Sequence, residues 1–393
     1  MSQKQILGVL FGVSLALTGN AAFALDVDAF VRSIETAGVG GLTYLGRARA
    51  AGEAVVVDNV GVELGDTTFL LEGQFTFAGI TMQPDGGYVV ETISAPEIVL
   101  RDTSTRVVTA RLNDFSLTGY VVPGESGSDG TFPSFAIDAG LFTWRDVPMM
   151  VVEGFSIGIE PTFANEALTG VALSAAVRGL TFNLTDFPPR SDTFAKMLVA
   201  LDVDELALDL SDSIVWQDSG LVTYINHTGF GEFGASRTEL VVSGLTQDKV
   251  EKYIAFMAAA EQGSPDIAQA LVSALIGVVI DDASIRIDAG PLLKEVIDYL
   301  ADERGDRDTV LAEAEQAGMT VIETLDVPEL AAQARPALRA FLAEPSSLEA
   351  RINPPAPVTL ISLMVAAAVA KTGIVPLLGP TFTANEPLRP DAP

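Results

Sequence analysis

Residues 225–240 read INHTGFGEFGASRTEL and hold the chain's single histidine, His227, beside a complete G-x-G-x-x-G made by Gly229, Gly231 and Gly234. Two folds compete for this stretch. A dinucleotide fingerprint needs a strand, a glycine turn and then a helix whose N-terminus holds a pyrophosphate, inside a βαβ unit. The strand is there, as LVTYINH (221–227), and Ser236 with Glu239 has the spacing of a capping box. The rest argues the other way. ELVVSGL is β-branched and meets Gly244 within about two turns, no third strand follows at once, and Arg237 is the lone basic side chain nearby. The stretch therefore predicts two antiparallel strands, with glycines that let the sheet bend or bulge.

That reading fits the texture on its N-terminal side. From about Leu42 to Leu245, short runs rich in Val, Ile, Thr and Phe alternate with Gly, Asp, Asn and Pro turns. EAVVVDNVGVEL (53–64), TTFLLEGQFTFAGITM (67–82), GYVVETISAPEIVL (87–100), ARLNDFSLTGYVV (110–122), MMVVEGFSIGIEP (149–161) and VRGLTFNLTDFP (177–188) are the clearest. Such spacing predicts antiparallel sheet with one wet and one apolar face. A loose echo, NDFSLTG, EGFSIGI, RGLTFNL and DELALDL, suggests one structural unit reused along a meander. GESGSDG (124–130) reads as a surface loop.

On the C-terminal side the period becomes helical. Val250, Tyr253, Ile254, Met257 and Ala258 share a face, and a second helix after Pro265 carries Ile267, Leu271, Ala274, Leu275 and Val278. A strand is expected at 278–288, helices at 291–303, 308–317 and 328–343, and short strands at 319–325 and 347–352. Leu25 to Ala37 forms a short amphipathic helix at the other end. The predicted fold is α+β: a large, mainly antiparallel, curved β-meander covered by C-terminal helices. The expected parts are a β-rich region at 25–245, a helical and mixed region at 246–385, and a disordered tail at 386–393.

The first 24 residues have the layout of a secretory signal peptide. Lys4 is followed by an apolar run from Ile6 to Leu17, and Ala22-Phe23-Ala24 makes a small-residue cleavage site. The expected location is periplasmic, with extracellular as the second choice. VTLISLMVAAAVA (358–370) is the other strongly apolar segment. At about 1.5 Å per residue it spans roughly 20 Å, short of a hydrocarbon core of roughly 30 Å, so a buried core helix is expected and no stable transmembrane insertion.

Composition excludes several chemistries. With 23 basic against 52 acidic residues the net charge is −29, which repels nucleic acid. The absence of cysteine removes disulfides, thiol nucleophiles and thiolate metal sites. One histidine cannot build the familiar zinc centres, and His227 reads as a solvated or turn-capping residue. No G-x-S-x-G is present; Gly124-Glu125-Ser126-Gly127-Ser128 fails at its last position. No lysine has serine three residues before it, although Lys196 and Lys249 have threonine there.

Acidic clusters remain. LDVDELALDLSD (201–212) carries Asp202, Asp204, Glu205, Asp209 and Asp212, and Asp202 with Asp204 would share one face of a strand, as a cation site might require. A calcium loop fails because Leu206 and Ala207 stand where an oxygen ligand and a glycine belong. Asp281, Asp282 and Asp288 form a second cluster, and paired carboxylates can hydrolyse glycosides. Trp144 and Trp216 read as rim residues of the sheet. No catalytic, cofactor-binding or metal residue is assigned, and no cofactor is expected.

In texture, short strands such as GFSIGIE and GLTFNLTD across roughly residues 50–245 resemble the AsmA-like proteins of the Gram-negative envelope. The resemblance rests on no specific motif and implies a long β-meander, a link to lipid handling and no site residues. The leading expectation is an exported, non-enzymatic protein that binds or transfers a lipid-like ligand through an apolar sheet face. A structural or interaction protein of the envelope and a carboxylate-based hydrolase are the alternatives. The first predicts a continuous apolar groove between sheet and helices; the second predicts a sheet fully covered by its own helices.

Overall fold

A computed structural model describes residues 25–37, 42–64, 67–102, 108–124, 134–144, 147–164, 167–184, 192–250, 252, 276–324, 326–369 and 373–388. The expected signal peptide, most of the helix expected around Val250–Ala258, most of the one expected from Pro265 to Val278, and all of the 124–130 loop but Gly124 lie outside these residues; Val278 itself is not helical and directly precedes a strand. The chain divides into two compact units, residues 1–187 with 257–264 and residues 188–256 with 265–393. The shift from strand to helix texture near 245 therefore falls inside the second unit. All strand pairs described are antiparallel.

The first unit opens with α1 (Val27–Ala37). The Asp26 carboxylate accepts the Ala29 N–H at 3.0 Å and caps its first turn. The strands are β1 (Leu42–Leu45), β2 (Ala48–Ala51), β3 (Ala54–Leu64), β4 (Thr67–Met82), β5 (Tyr88–Asp102), β6 (Val108–Val122), β7 (Ser134–Ile137), β8 (Ala139–Trp144), β9 (Val147–Val152), β10 (Gly154–Ala164) and β11 (Ala167–Asn183). β1 and β2 both pair with β3, and β3 to β6 follow in order. β7 and β8 lie end to end along β6; β9 and β10 follow them, and β11 closes the meander.

The breaks between these half-strands are aligned across the sheet. Gly46 donates to the Asn59 carbonyl at 2.9 Å, and the Asn59 side chain accepts the Gly73 N–H at 3.1 Å. Asp138 donates to Asn113, and Glu153 donates to Arg178. Asn59, Asp114 and Gly179 take left-handed backbone at φ 65°, 50° and 55°. At Asp114 this resets the alternation without a change of register: Leu112 and Phe115 both pack on the core, while the pairs Ala95–Phe115 and Glu97–Asn113 stay in step. On β3 the most deeply buried positions are Val55 and Val57 before the register shift at Asn59 and Val60 after it. Three of the four members of the echo seen in the sequence, Asp114-Phe115, Gly154-Phe155 and Gly179-Leu180, fall on this line of breaks. Phe75, Phe115, Phe135 and Phe155 stack edge to face along it at 6.1, 5.4 and 5.5 Å. The helix described over this sheet is α1, from the N-terminal end. Phe30 and Ile34, one turn apart, are fully buried, with the Phe30 ring edge-on to Phe77 and Tyr88.

The second unit comprises α2 (Asp192–Ala200), β12 (Glu205–Gln217), β13 (Val222–Gly229), β14 (Gly234–Ser243), β15 (Val279–Ala289), α3 (Pro291–Arg304), α4 (Arg307–Glu323), α5 (Pro328–Ala343), β16 (Ser347–Ile352), β17 (Val358–Thr359), α6 (Leu360–Val369), α7 (Ile374–Leu378) and β18 (Pro380–Ala384). β12 to β16 pair in chain order, β18 pairs with β16, and β17 pairs with the start of β15.

The glycine motif is a hairpin, as its sequence predicts. β13 ends at Gly229, Gly231–Phe233 form one 3-10 turn, and β14 starts at Gly234. Phe230 donates to the Gly234 carbonyl at 2.7 Å. Gly234 has φ 128°, and a Cβ there would sit 2.1 Å from the Asp288 carbonyl oxygen. The glycine serves a close backbone approach, with no helix N-terminus behind it.

The expected strand at 319–325 is absent; α4 runs to Glu323. Met319 is fully buried while Val321 is exposed. Met319 and Ile322, three apart, both face inward, which a helix allows and strand alternation does not. Helix α5 and strand β16 match their predicted limits. The apolar helix α6 is not a buried core helix: Met364 and Val365 are 51% and 56% exposed. Among the described residues, no helix is long and apolar enough to cross a membrane. Trp216 is buried and donates its indole N–H to the Leu245 carbonyl at 2.7 Å, so it is a packed residue and not a rim residue.

Candidate functional site

Strand register in the second unit builds two rows of side chains on one face of its sheet. The first row runs Tyr224, Leu240, Ala283, Ile352, Pro380. The second runs Asn226, Thr238, Ile285, Ala350, Phe382. The residues of each row come from five strands spread over more than 150 positions of sequence, and alternation alone keeps them on one side. Opposite them stand Ile322 of α4, Val327 and Leu330 at the start of α5, and Ile374, Val375 and Leu378 of α7.

Sheet and helices do not meet completely. Between them lies a cavity of about 750 Å³, open to solvent on one side. That volume is within the roughly 300–1,000 Å³ of pockets that take small organic ligands. Ile285, in the middle of the second row, is 55% exposed. Glu239, Ser284 and Arg351 also border the cavity, but their strand phase sends their side chains to the opposite face. There Glu239 pairs with Arg237, and Arg351 grips Asp282 through two hydrogen bonds of 2.9 and 2.5 Å. The charged groups near the cavity are thus paired on the far side of the sheet.

The opposite face is polar. Its cross-strand row runs His227, Arg237, Arg286, Glu349, Thr383. His227 is exposed on β13. Two arginines directly opposite each other would repel. Carboxylates offset this: Glu239 holds Arg237, and Arg286 is held by Asp288 at 2.7 Å with Glu349 at 3.6 Å. The Asp288 hydrogen bond raises the Arg286 pKa above its ordinary value, against the opposing effect of burial.

The cavity has one polar edge. Asp212 on β12 lies opposite Asn226, on the same face as the two rows. The Tyr224 hydroxyl donates to Asp212 Oδ1 at 2.9 Å, and Asn226 Nδ2 donates to the same oxygen at 3.0 Å. Thr228 donates to Asn226 Oδ1 at 3.3 Å. The hydrogen bond to Asp212, then burial and the Asp212 charge, raises the Tyr224 pKa above that of a free phenol.

The helical wall is clasped by Glu315 of α4. Its carboxylate accepts from Arg335 at 3.0 Å and from Arg339 at 2.9 and 3.0 Å, both on α5. The Arg339 and Arg335 hydrogen bonds hold its pKa below the usual carboxylate value despite partial burial. The clasp fixes the two helices that supply Ile322, Val327 and Leu330.

The acidic clusters named from the sequence come out differently. Asp202 sits in a turn with φ 56°, and Asp204 precedes β12, so the two do not share a strand face. Asp281 and Asp282 are adjacent on β15, where Asp281 is the extra residue of a register shift and Asp282 pairs with Arg351. Among the described residues, no group of three or more His, Asp or Glu side chains is arranged to hold a metal ion. None of the LDVDELALDLSD acids lines the cavity itself, but Asp212 is hydrogen-bonded to Tyr224, which does. The partners of Asp212 are not legible from local spacing, since Tyr224 and Asn226 join it only through strand register.

A family model described as "Uncharacterized protein" matches residues 228–385, a span that includes every cavity-lining residue except Tyr224. No curated protein matches the chain.

Proposed function

We propose that the protein is exported to the periplasm and binds or transfers a hydrophobic, lipid-like ligand in the cavity of its second unit. The observation that carries this reading is the open cavity between sheet and helices, walled by aliphatic side chains with Ile285 uncovered. Each methylene moved from water into such a site contributes about 0.8 kcal/mol, so an alkyl chain supplies its own driving force. The arginine–carboxylate pairs of the sheet lie on the opposite face, so the cavity wall offers few hydrogen bonds beyond those at Tyr224 and Thr238. The signal-peptide layout of the first 24 residues supports export.

The test is mass spectrometry of protein purified from cells under native conditions, followed by titration with a fluorescent alkyl probe. A co-purified amphiphile that the probe displaces supports the reading. A protein that carries no amphiphile and has no affinity for the probe overturns it. The exposed Met364 and Val365 of α6 favour a second reading, an interaction protein of the envelope. That reading expects a stable partner in cross-linking and an empty cavity.

A further inference from the structure

We infer that the ligand's head group is a hydrogen-bond donor without negative charge, a hydroxyl or an ammonium, received by Asp212 at the edge of the cavity. This rests on the lipid-like reading of the cavity and specifies which amphiphiles it takes.

The polar edge is one-sided in charge: its ionisable group other than Tyr224 is Asp212. Asp212 Oδ1 already accepts from Tyr224 and Asn226, whereas Oδ2 has no partner among the described residues. Tyr224 forms part of the cavity wall, so the carboxylate it holds lies beside the space a ligand would occupy. Thr238 lines the cavity directly opposite Asn226 and presents a further hydroxyl. An ionised carboxylate accepts and does not donate. A free lone-pair set next to an apolar cavity therefore matches a head that donates.

Among the described residues, no cation is placed to receive an anion. Arg351 is the one basic residue among them that borders the cavity, and its guanidinium is bound to Asp282 on the opposite face. Arg237 and Arg286, the next arginines on these strands, are on that face too, each with its own carboxylate. A carboxylate or phosphate head would meet Asp212 at close range in a partly desolvated site, where like charges repel strongly. The chain's net charge of −29 has the same sign.

The experiment is competition of decanol, decylamine and decanoate against a fluorescent alkyl probe, on the full chain. The Asp212→Asn variant and the cavity-filling Ala283→Trp variant run beside it. The expected result is that decanol and decylamine displace the probe at concentrations about tenfold or more below decanoate. Asp212→Asn narrows that gap, with decylamine weakening and decanoate strengthening. Ala283→Trp abolishes displacement by all three, which separates cavity binding from attraction of an amine to an acidic surface. Equal or tighter binding of decanoate, or a gap unchanged in Asp212→Asn, overturns the head-group assignment and leaves the lipid-like reading standing. Failure of all three and of the probe to bind overturns both.

Discussion

The Tyr224 hydroxyl donates to Asp212 Oδ1 at 2.9 Å while its ring forms part of the cavity wall, so one side chain joins the apolar space to its polar edge. The charge and strong acceptor of Asp212 favour the neutral phenol. Replacing Asp212 with asparagine is expected to bring the Tyr224 pKa down towards that of a free tyrosine. Carbon NMR of ring-labelled protein reads this directly, with Tyr224→Phe assigning the resonance. An unmoved titration would mean that the hydrogen bond does not form in solution.

Filling the cavity separates binding from folding. Ala283 and Ala350 are the small members of the two rows. Tryptophan at either position occupies the space left open between sheet and helices. Affinity for an alkyl probe is expected to fall about tenfold or more. The circular dichroism spectrum stays that of the parent, because the new ring enters a void. Undiminished probe binding in both variants would place the ligand elsewhere.

The Glu315 clasp gives the protein an acid-sensitive element. Its folded pKa is depressed, so its contribution is present above the unfolded carboxylate value of about 4.5 and is lost as pH falls through the folded value. The melting temperature of the parent is expected to drop more steeply below about pH 4.5 than that of Glu315→Gln. At neutral pH the variant is the less stable of the two, since Arg335 and Arg339 lose their shared partner. Identical pH profiles would show that the clasp is not formed.

Two glycines with positive φ provide a contrast in strain. At Gly234 an added Cβ meets the Asp288 carbonyl at 2.1 Å, and backbone cannot move aside cheaply. Gly234→Ala is expected to cost several times more than the roughly 1–2 kcal/mol of a left-handed alanine alone. Gly52, at φ 65° with nothing within 4 Å, carries only that conformational cost. Urea unfolding of the two variants compares them, and equal losses would contradict the close packing of the hairpin on β15.

Phe30 tests what covers the first sheet. It is fully buried and edge-on to Phe77 and Tyr88, with centroids 5.7 and 5.2 Å away. Truncation to alanine leaves a void under α1 and is expected to cost about 3–5 kcal/mol. A loss below about 1 kcal/mol in chemical unfolding would mean that α1 is not docked in solution.

The readable parts of this fold are those where local chemistry and tertiary environment agree. β-branched residues after Ser236 outweighed its capping-box spacing, and β14 is a strand. Pro328 at the first turn and the helical spacing of Ala334, Ala337 and Phe341 set the limits and buried face of α5. Where they disagreed, environment prevailed. Val321 and Ile322 favour a strand locally, yet burial of Met319 and Ile322 on one side holds them in α4. α6 looked like a core segment because it is apolar throughout, and apolarity alone does not say which side is covered.

By itself the amino-acid sequence determined that the glycine motif is a hairpin, that the strands alternate one wet and one apolar face, and that these residues hold no thiol and too few histidines for the familiar zinc centres. These follow from residue type and from spacing over a few positions, which act before the chain closes on itself. The tertiary structure alone decided that Tyr224, Leu240, Ala283, Ile352 and Pro380 form one row, that the helices stop short of it, and that Asp212 heads the neighbouring row through Asn226 while holding Tyr224. Register between strands far apart in the chain, and the gap left where helices and sheet fail to interdigitate, are properties of packing that no local pattern encodes.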